Sequence, residues 1–293
     1  MSVQLAASRF LSLMTVAAAL AAAPSPITAQ MPATRADSMR QAARHDSDGE
    51  TGRARSLYRR LVDSAPDPAA KAEAQRALAM SYAFDADCAN AVRHEEEVIA
   101  YWKTREQAEP QNAFYQQGQM ANEVARVCLD AGDLDAAERY YRLGAELGQR
   151  EPEPRTHARS LWNYRLAHAL GRIAARRGQK AEALKQVAEA RRILDSDSAM
   201  AAQQGRFFPY LVGYVALYSG DLATAEAELT KAIAISENQT DPFIPMLLAT
   251  VYEKRGQRDR AKALYQTAYD LATGHNGPAA HVRPNARKKL AAM

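Results

Sequence analysis

Apolar residues beyond residue 36 recur at spacings of three and four along the chain, a pattern that predicts amphipathic helices. This part of the sequence is rich in Ala, Leu, Arg, Glu and Gln, and it has few runs of the β-branched residues that favour strands. No segment alternates convincingly between apolar and polar positions. We therefore predict an all-α fold.

Two kinds of joint separate the predicted helices. The first is a short proline cluster, because proline is tolerated at the start of a helix and disrupts its interior. The second is a glycine followed by a polar residue: the glycine can take the left-handed conformation that ends one helix, and the polar residue can cap the next. The proline clusters lie at residues 65–68, 109–110, 151–154, 241–242 and 277–278, and the glycine joints at Gly132, Gly178, Gly220 and Gly256.

Small residues flank these glycine joints at fixed positions. Side chains of this size let two antiparallel helices approach closely, so we expect the two sets to face each other within helix hairpins. Five residues after the glycines stand Ala137, Ala183, Ala225 and Ala261, and seven residues before them stand Ala125, Gly171, Gly213 and Ala249.

The pattern resembles the tetratricopeptide repeat, a helix-turn-helix unit of about 34 residues. The best match covers residues 122–148 and another covers residues 248–268. The resemblance implies a right-handed superhelical solenoid of about six hairpins, forming one domain over residues 36–293. A polar and basic helix near residues 284–293 would cap its end. Successive glycine joints are 46, 42 and 36 residues apart, so some helices should be longer than the standard unit allows.

The first 29 residues are typical of a secretory signal peptide. Arg9 precedes an apolar stretch from Phe10 to Ala23, and residues 27–29 form a signal-peptidase site. These fourteen apolar residues would span about 21 Å as a helix, less than the roughly 30 Å of a bilayer core. We expect cleavage before Gln30, a short linker over residues 30–35, and a periplasmic or secreted bacterial protein; a retained anchor is the alternative. Residues 274–290, together with this N-terminus, resemble exported bacterial proteins of the same repeat type.

Cys88 and Cys128 are the two cysteines of the chain. In an oxidising compartment such a pair can persist as a disulfide. Cys88 would begin the second helix of one hairpin, and Cys128 would lie late in the first helix of the next, which are elements that stack side by side in a solenoid. A Cys88–Cys128 disulfide is therefore expected, with two buried thiols as the alternative.

The distribution of charge disfavours nucleic acid as a partner. The formal net charge is +4, and Lys and Arg are interleaved with Glu and Asp along the predicted helices. The one basic run, near Arg283 and Arg287, is interpreted as the charge complement of a helix end.

No residues stand at a spacing that indicates catalysis, so we predict a non-enzymatic protein without metal or cofactor. His275 and His281 are six residues apart in a stretch with Gly and Pro, which gives them no common helical face for a metal. Residues 46–50 resemble the opening of a calcium loop, but Thr51 and Leu57 stand where its Gly and Glu belong, so a turn at Gly49 is favoured. An enzyme, or an accessory subunit of one, is the rival class.

In this repeat family the first helix of each hairpin usually lines the concave face. Arg side chains pair bidentately with carboxylates and Tyr offers a rigid contact surface, so the matched ligand is an acidic peptide or a C-terminal carboxylate. The sequence thus predicts an exported scaffold or adaptor for protein or peptide partners, and it leaves the oligomeric state open. Glycan or cell-wall polymer binding by the aromatic residues is one alternative; another is that the arginines pair with neighbouring acids while the aromatics fill the core. The residues expected on the concave face are Asn122, Arg126, Arg165, His168, Arg172, Phe207, Tyr210 and Tyr214.

Overall fold

Six helix hairpins follow one another along residues 34–293, which are the residues that the computed structural model describes. The predicted signal peptide and most of the predicted linker lie outside the described residues. Residues Thr34–Met293 form one compact unit. The hairpins are α1 (Arg35–Asp48) with α2 (Thr51–Asp63), α3 (Pro68–Ala83) with α4 (Cys88–Lys103), α5 (Pro110–Ala131) with α6 (Leu134–Gln149), α7 (Arg159–Arg176) with α8 (Lys180–Ser196), α10 (Phe208–Tyr218) with α11 (Leu222–Ala234), and α12 (Phe243–Lys254) with α13 (Arg258–Leu271).

Each hairpin turns at a residue in the left-handed conformation. The four predicted glycine joints have φ between 72° and 95°, and the predicted turn at Gly49 has φ 87°. In the second hairpin Ala86 takes this conformation, with φ 55°. Where the residue after the glycine is Asp, its carboxylate accepts a backbone hydrogen bond from the next helix, as Asp133 does from the N–H of Ala136 at 3.0 Å. The joints are therefore confirmed.

The small residues beside the joints are packed between helices. All four alanines of the second helices, and Ala125 and Ala249 of the first helices, have no solvent exposure. At Gly213 a β-carbon would lie 2.7 Å from Cγ of Leu229, so α10 and α11 could not approach this closely with a larger residue there. The small residues therefore allow the paired helices to approach closely, as the sequence predicts. Gly171 lies beside Ala183 as expected, whereas the nearest neighbour of Gly213 is Leu229 and not Ala225.

Two insertions account for the long intervals between glycine joints. Residues 150–158 form a loop between α6 and α7, and its Glu151 carboxylate accepts hydrogen bonds from the backbone of Thr156 and His157. The short helix α9 (Ser198–Gln204) and a 3-10 turn (Gly205–Phe207) lie between α8 and α10. In the described residues no helix is long and apolar enough to cross a membrane.

The last helix, α14 (Gly277–Ala291), differs from the prediction of a cap that starts near residue 284. It begins at Gly277, and Pro284 lies inside it. Besides α13 it contacts α3, α5 and α12, which are all first helices, so it lies against the inner face of the stack. Nε2 of His275, just before α14, is 2.8 Å from Oδ2 of Asp46, and the Arg283 side chain donates to the Ser47 carbonyl at 2.7 Å. The C-terminal segment therefore joins the last hairpin to the first.

Packing around Trp162 provides a test of the close helix approach. This side chain is fully buried, and a β-carbon at Gly118 would lie 2.6 Å from its ring and 2.7 Å from the Gly144 carbonyl oxygen. Because a carbonyl in a helix cannot move away, we expect Gly118→Ala to lower the free energy of unfolding by about 1–3 kcal/mol in chemical denaturation. Gly52→Ala is the control, since a β-carbon on that helical glycine meets nothing within 4 Å; it should raise stability by about 0.5–1 kcal/mol. Equal effects of the two changes would contradict this account of the packing.

The two cysteines give a second prediction. Their Sγ atoms lie 2.03 Å apart, and a bond between them spans 40 residues of chain. Such a bond restricts the unfolded chain, so the Cys88→Ser/Cys128→Ser variant should lose about 4 kcal/mol of stability in the chain-entropy account. The measurement is chemical denaturation of both proteins without reductant, with thiol titration of the denatured wild type. Two titratable thiols in unreduced wild-type protein would show that the disulfide does not form.

Candidate binding cavity on the inner face

A cavity of about 480 Å³ opens on the inner face between α5, α7 and the start of α14. Its volume is in the range of ordinary ligand sites. The side chains that line it come from residues 119–207 in the middle of the sequence and from residues 276–278, because α14 returns across the stack. Six of the eight residues expected on the concave face are among them: Asn122, Arg126, Arg165, His168, Arg172 and Phe207.

The other two expected residues are not on the surface of the groove. Tyr210 is 6% exposed and Tyr214 is 1% exposed, and both belong to the core between α10 and α12. The cause is that α10 is apolar on nearly every side, so packing neighbours cover it all round. Of the three aromatic residues expected on the concave face, only the partly buried Phe207 lines the cavity. Tyr210 lies beneath the cavity surface, where its hydroxyl accepts a hydrogen bond from Arg172.

Arg172 is the buried cation of the cavity. It is 5% exposed, and its guanidinium donates to the Tyr210 hydroxyl at 3.2 Å, the Tyr141 hydroxyl at 3.0 Å and the His168 carbonyl at 3.4 Å. All three acceptors are neutral, and within the described residues no carboxylate lies at ion-pair distance from Arg172. A guanidinium remains charged at any ordinary pH and has five N–H donors, so two of them remain for a ligand.

Arg165 lies on the same face of α7, two turns before Arg172. Its Nη1 donates to Oε1 of Gln119 at 3.0 Å, and its guanidinium is 5.1 Å from the Trp162 ring centre. It too has no ion-pair partner among residues 34–293. The alternative in which Arg165 and Arg172 are neutralised by neighbouring acids is therefore not what the structure shows.

Arg126 of α5 is partly neutralised. Its Nε donates to Asp130 at 2.6 Å, its guanidinium lies 4.1 Å from the Phe243 ring centre, and its Nη2 is buried with no hydrogen-bond partner in the described part of the chain. The carboxylate of Glu123, which also lines the cavity, is held by Arg76 at 2.6 and 2.9 Å. The cavity thus has an excess of positive charge.

His168 presents an unused acceptor to this cavity. It is 9% exposed, and its Nε2 is buried without a hydrogen-bond partner in residues 34–293. Burial, and next the positive charge of Arg172, lower the pKa of His168 well below its ordinary value. The ring is therefore neutral, and with its proton assigned to Nδ1 the unpartnered Nε2 is an acceptor.

The start of α14 is the part of the cavity that the sequence did not reveal. Asn276 caps the helix by accepting from the N–H of Ala279 at 3.0 Å, and Asn276, Gly277 and Pro278 line the cavity. A helix N-terminus has free N–H groups and a partial positive charge, which adds to the charge of the arginines. The Gly-Pro pair indicated a joint in the sequence, but nothing local indicated that this joint faces α5 and α7.

The two histidines weighed as metal ligands have other contacts. His275 lies beside Asp46 and the Tyr58 hydroxyl, and the Asp46 carboxylate also accepts from Ser81 at 2.7 Å. The amide of Asn285 lies 3.5 Å from Nδ1 of the His281 ring. Over residues 34–293 no group of three or more His, Cys, Asp or Glu side chains is placed to hold a metal ion.

No protein-family model matches the chain. No curated protein matches its sequence either. Among solved structures it is similar to the TPR domain of P58(IPK), with 13% sequence identity, a TM-score of 0.34, and coverage of 88% of this chain and 79% of that chain. The consecutive hairpins themselves define an α-solenoid of stacked helix pairs.

The buried imidazole leads to a pH dependence of stability. Because the folded state lowers the pKa of His168, the unfolded chain takes up a proton as the pH falls through about 6.5 while the folded chain does not. Stability contributed by the neutral ring is thus lost on acidification. Between pH 7 and 5 the wild type should lose up to about 2 kcal/mol more than His168→Phe, measured by chemical denaturation at both pH values. Identical losses would show that His168 titrates normally.

Proposed function

We propose that this chain is an exported scaffold or adaptor that binds protein or peptide partners through its inner face, with the cavity as the anchor for a carboxylate of the partner. The observation that carries the proposal is Arg172, a buried cation that faces a cavity and has only neutral hydrogen-bond partners. The TPR-like solenoid supports an interaction role in general.

Within the described residues no carboxylate pairs with Arg165 or Arg172, and a ligand carboxylate would supply that partner. A buried charge without an opposite charge is costly, and a ligand oxygen that accepts from a guanidinium reduces that cost. Arg165 is more accessible than Arg172 and would meet the ligand first. Positive charge at the entrance also raises the rate at which acidic partners associate.

The position of α14 defines how a partner would enter. This helix covers part of the inner face, so an extended chain would not run along the whole stack. An end of the partner chain, or a protruding acidic side chain, fits the remaining opening. This favours a C-terminal carboxylate or an acidic loop as the bound element.

Export is supported by two features of the sequence. The first 29 residues have the composition of a secretory signal, and the chain contains a cysteine pair, Cys88 and Cys128, of the kind that persists as a disulfide in an oxidising compartment. The glycan alternative is not favoured, because the aromatic residues on which it depended are buried.

The carboxylate anchor can be tested with paired peptides. A pool of short peptides, with and without acidic side chains near the C-terminus, is prepared with either a free C-terminal carboxylate or an amide, and capture by the purified protein is quantified by mass spectrometry. Free-carboxylate peptides should be enriched, and Arg165→Gln should reduce their capture about tenfold or more, as expected for loss of a charged hydrogen bond.

Arg139→Gln is the matched control, since it removes the same charge from an exposed position on α6. It should leave capture unchanged. The proposal fails if amidated peptides without acidic side chains are captured as well as free ones, or if the changes at Arg165 and Arg139 have the same effect.

A further inference from the structure

A carboxylate would not satisfy every polar group of the cavity. The Nε2 atom of His168 is buried, has no hydrogen-bond partner in the described residues, and belongs to a side chain that lines the cavity. A buried acceptor without a donor is unfavourable, so a ligand that supplies a donor there binds better than one that does not. The ligand that matches this site has a hydrogen-bond donor as well as an acid group.

The charge around His168 restricts what that donor can be. Arg172 lies on the next turn of α7, and Arg126 and the start of α14 face the same space. An ammonium donor would be repelled by these positive charges. A neutral hydroxyl has no such penalty, and it can donate to a ring nitrogen at normal hydrogen-bond distance.

The walls of the cavity are partly aromatic, which favours a ligand with a hydrocarbon group as well as its acid group and its hydroxyl. Phe207, which is partly buried, lines it together with the largely buried Tyr141 and Tyr164, and its volume of about 480 Å³ exceeds what an inorganic ion would fill. Aromatic walls of this kind gain free energy from apolar or aromatic groups that exclude water.

We propose that the cavity is a binding site for a small hydroxylated organic acid, whose carboxylate is bound by Arg165 and Arg172 and whose hydroxyl donates to Nε2 of His168. The site needs no protein partner and so goes beyond the scaffold role. Because the start of α14 forms one wall, the acid also links α5 and α7 to the helix that joins the two ends of the stack. It would compete with any partner carboxylate for the same arginines.

The test uses 3-phenyllactate and 3-phenylpropionate, which differ only in the hydroxyl. Titration calorimetry with the full chain should show tighter binding of 3-phenyllactate, by about fivefold, as expected for one added hydrogen bond. Arg165→Gln should weaken both acids about tenfold or more. His168→Phe keeps an aromatic ring but removes the acceptor, so it should weaken 3-phenyllactate alone and bring the two acids to similar affinities.

The Arg139→Gln control should bind both acids as the wild type does. Inorganic phosphate, which has no carbon body, should bind much more weakly than 3-phenyllactate. Equal affinity of the wild type for the two acids, or a hydroxyl preference that survives in His168→Phe, would overturn the proposal. Capture of peptides without binding of either acid would overturn this inference and leave the proposed function standing, whereas acid binding without peptide capture would do the reverse.

Discussion

The close approach of two helices at small residues is the contact on which the rest of this structure depends. The hairpins joined at glycine bury an alanine of the second helix, such as Ala183 or Ala225, and a β-carbon at Gly171 of α7 would lie 3.7 Å from the Ala183 carbonyl oxygen of α8. A larger side chain there would force the pair apart, because well-packed helices have no spare volume. Since every hairpin stacks on the next, the spacing inside the pairs also sets the curvature of the inner face.

The C-terminal helix changes what the curved stack can do. In an open solenoid the inner face is one long groove, but here α14 lies against the first helices and reaches the first turn through His275 and Arg283. The groove is thereby divided, and what remains between α5, α7 and the start of α14 is a cavity. A cavity of this kind favours the end of a peptide chain or a compact ligand, whereas a continuous groove would accept an extended chain along its length.

Electrostatics then determine the character of this cavity. Arg172 is held by phenol and carbonyl oxygens, which satisfy its hydrogen bonds without neutralising its charge. The neutral His168 beside it contributes an acceptor instead of a second charge. Favourable packing elsewhere in the fold must compensate for the free-energy cost of burying these groups. A buried cation without a counter-ion beside an unpartnered histidine is more typical of a ligand site than of a core that only stabilises the fold.

The sequence by itself determined the helical class, the positions of the joints and the small residues that pair the helices, because each depends on local conformation or on periodicity within one hairpin. It also indicated six residues of the cavity. Five of them lie on the inner stripe of a first helix, which follows from helical spacing, and Phe207 lies in the 3-10 turn before α10. The burial of Tyr210 and Tyr214 depended on how α12 packs over α10. Only the tertiary structure decided that α14 crosses the inner face and that Asn276 to Pro278 meet Arg172 and His168. The physical reason is that contacts between residues more than a hundred positions apart depend on how every intervening hairpin packs on the next. Local sequence patterns do not determine these packing angles.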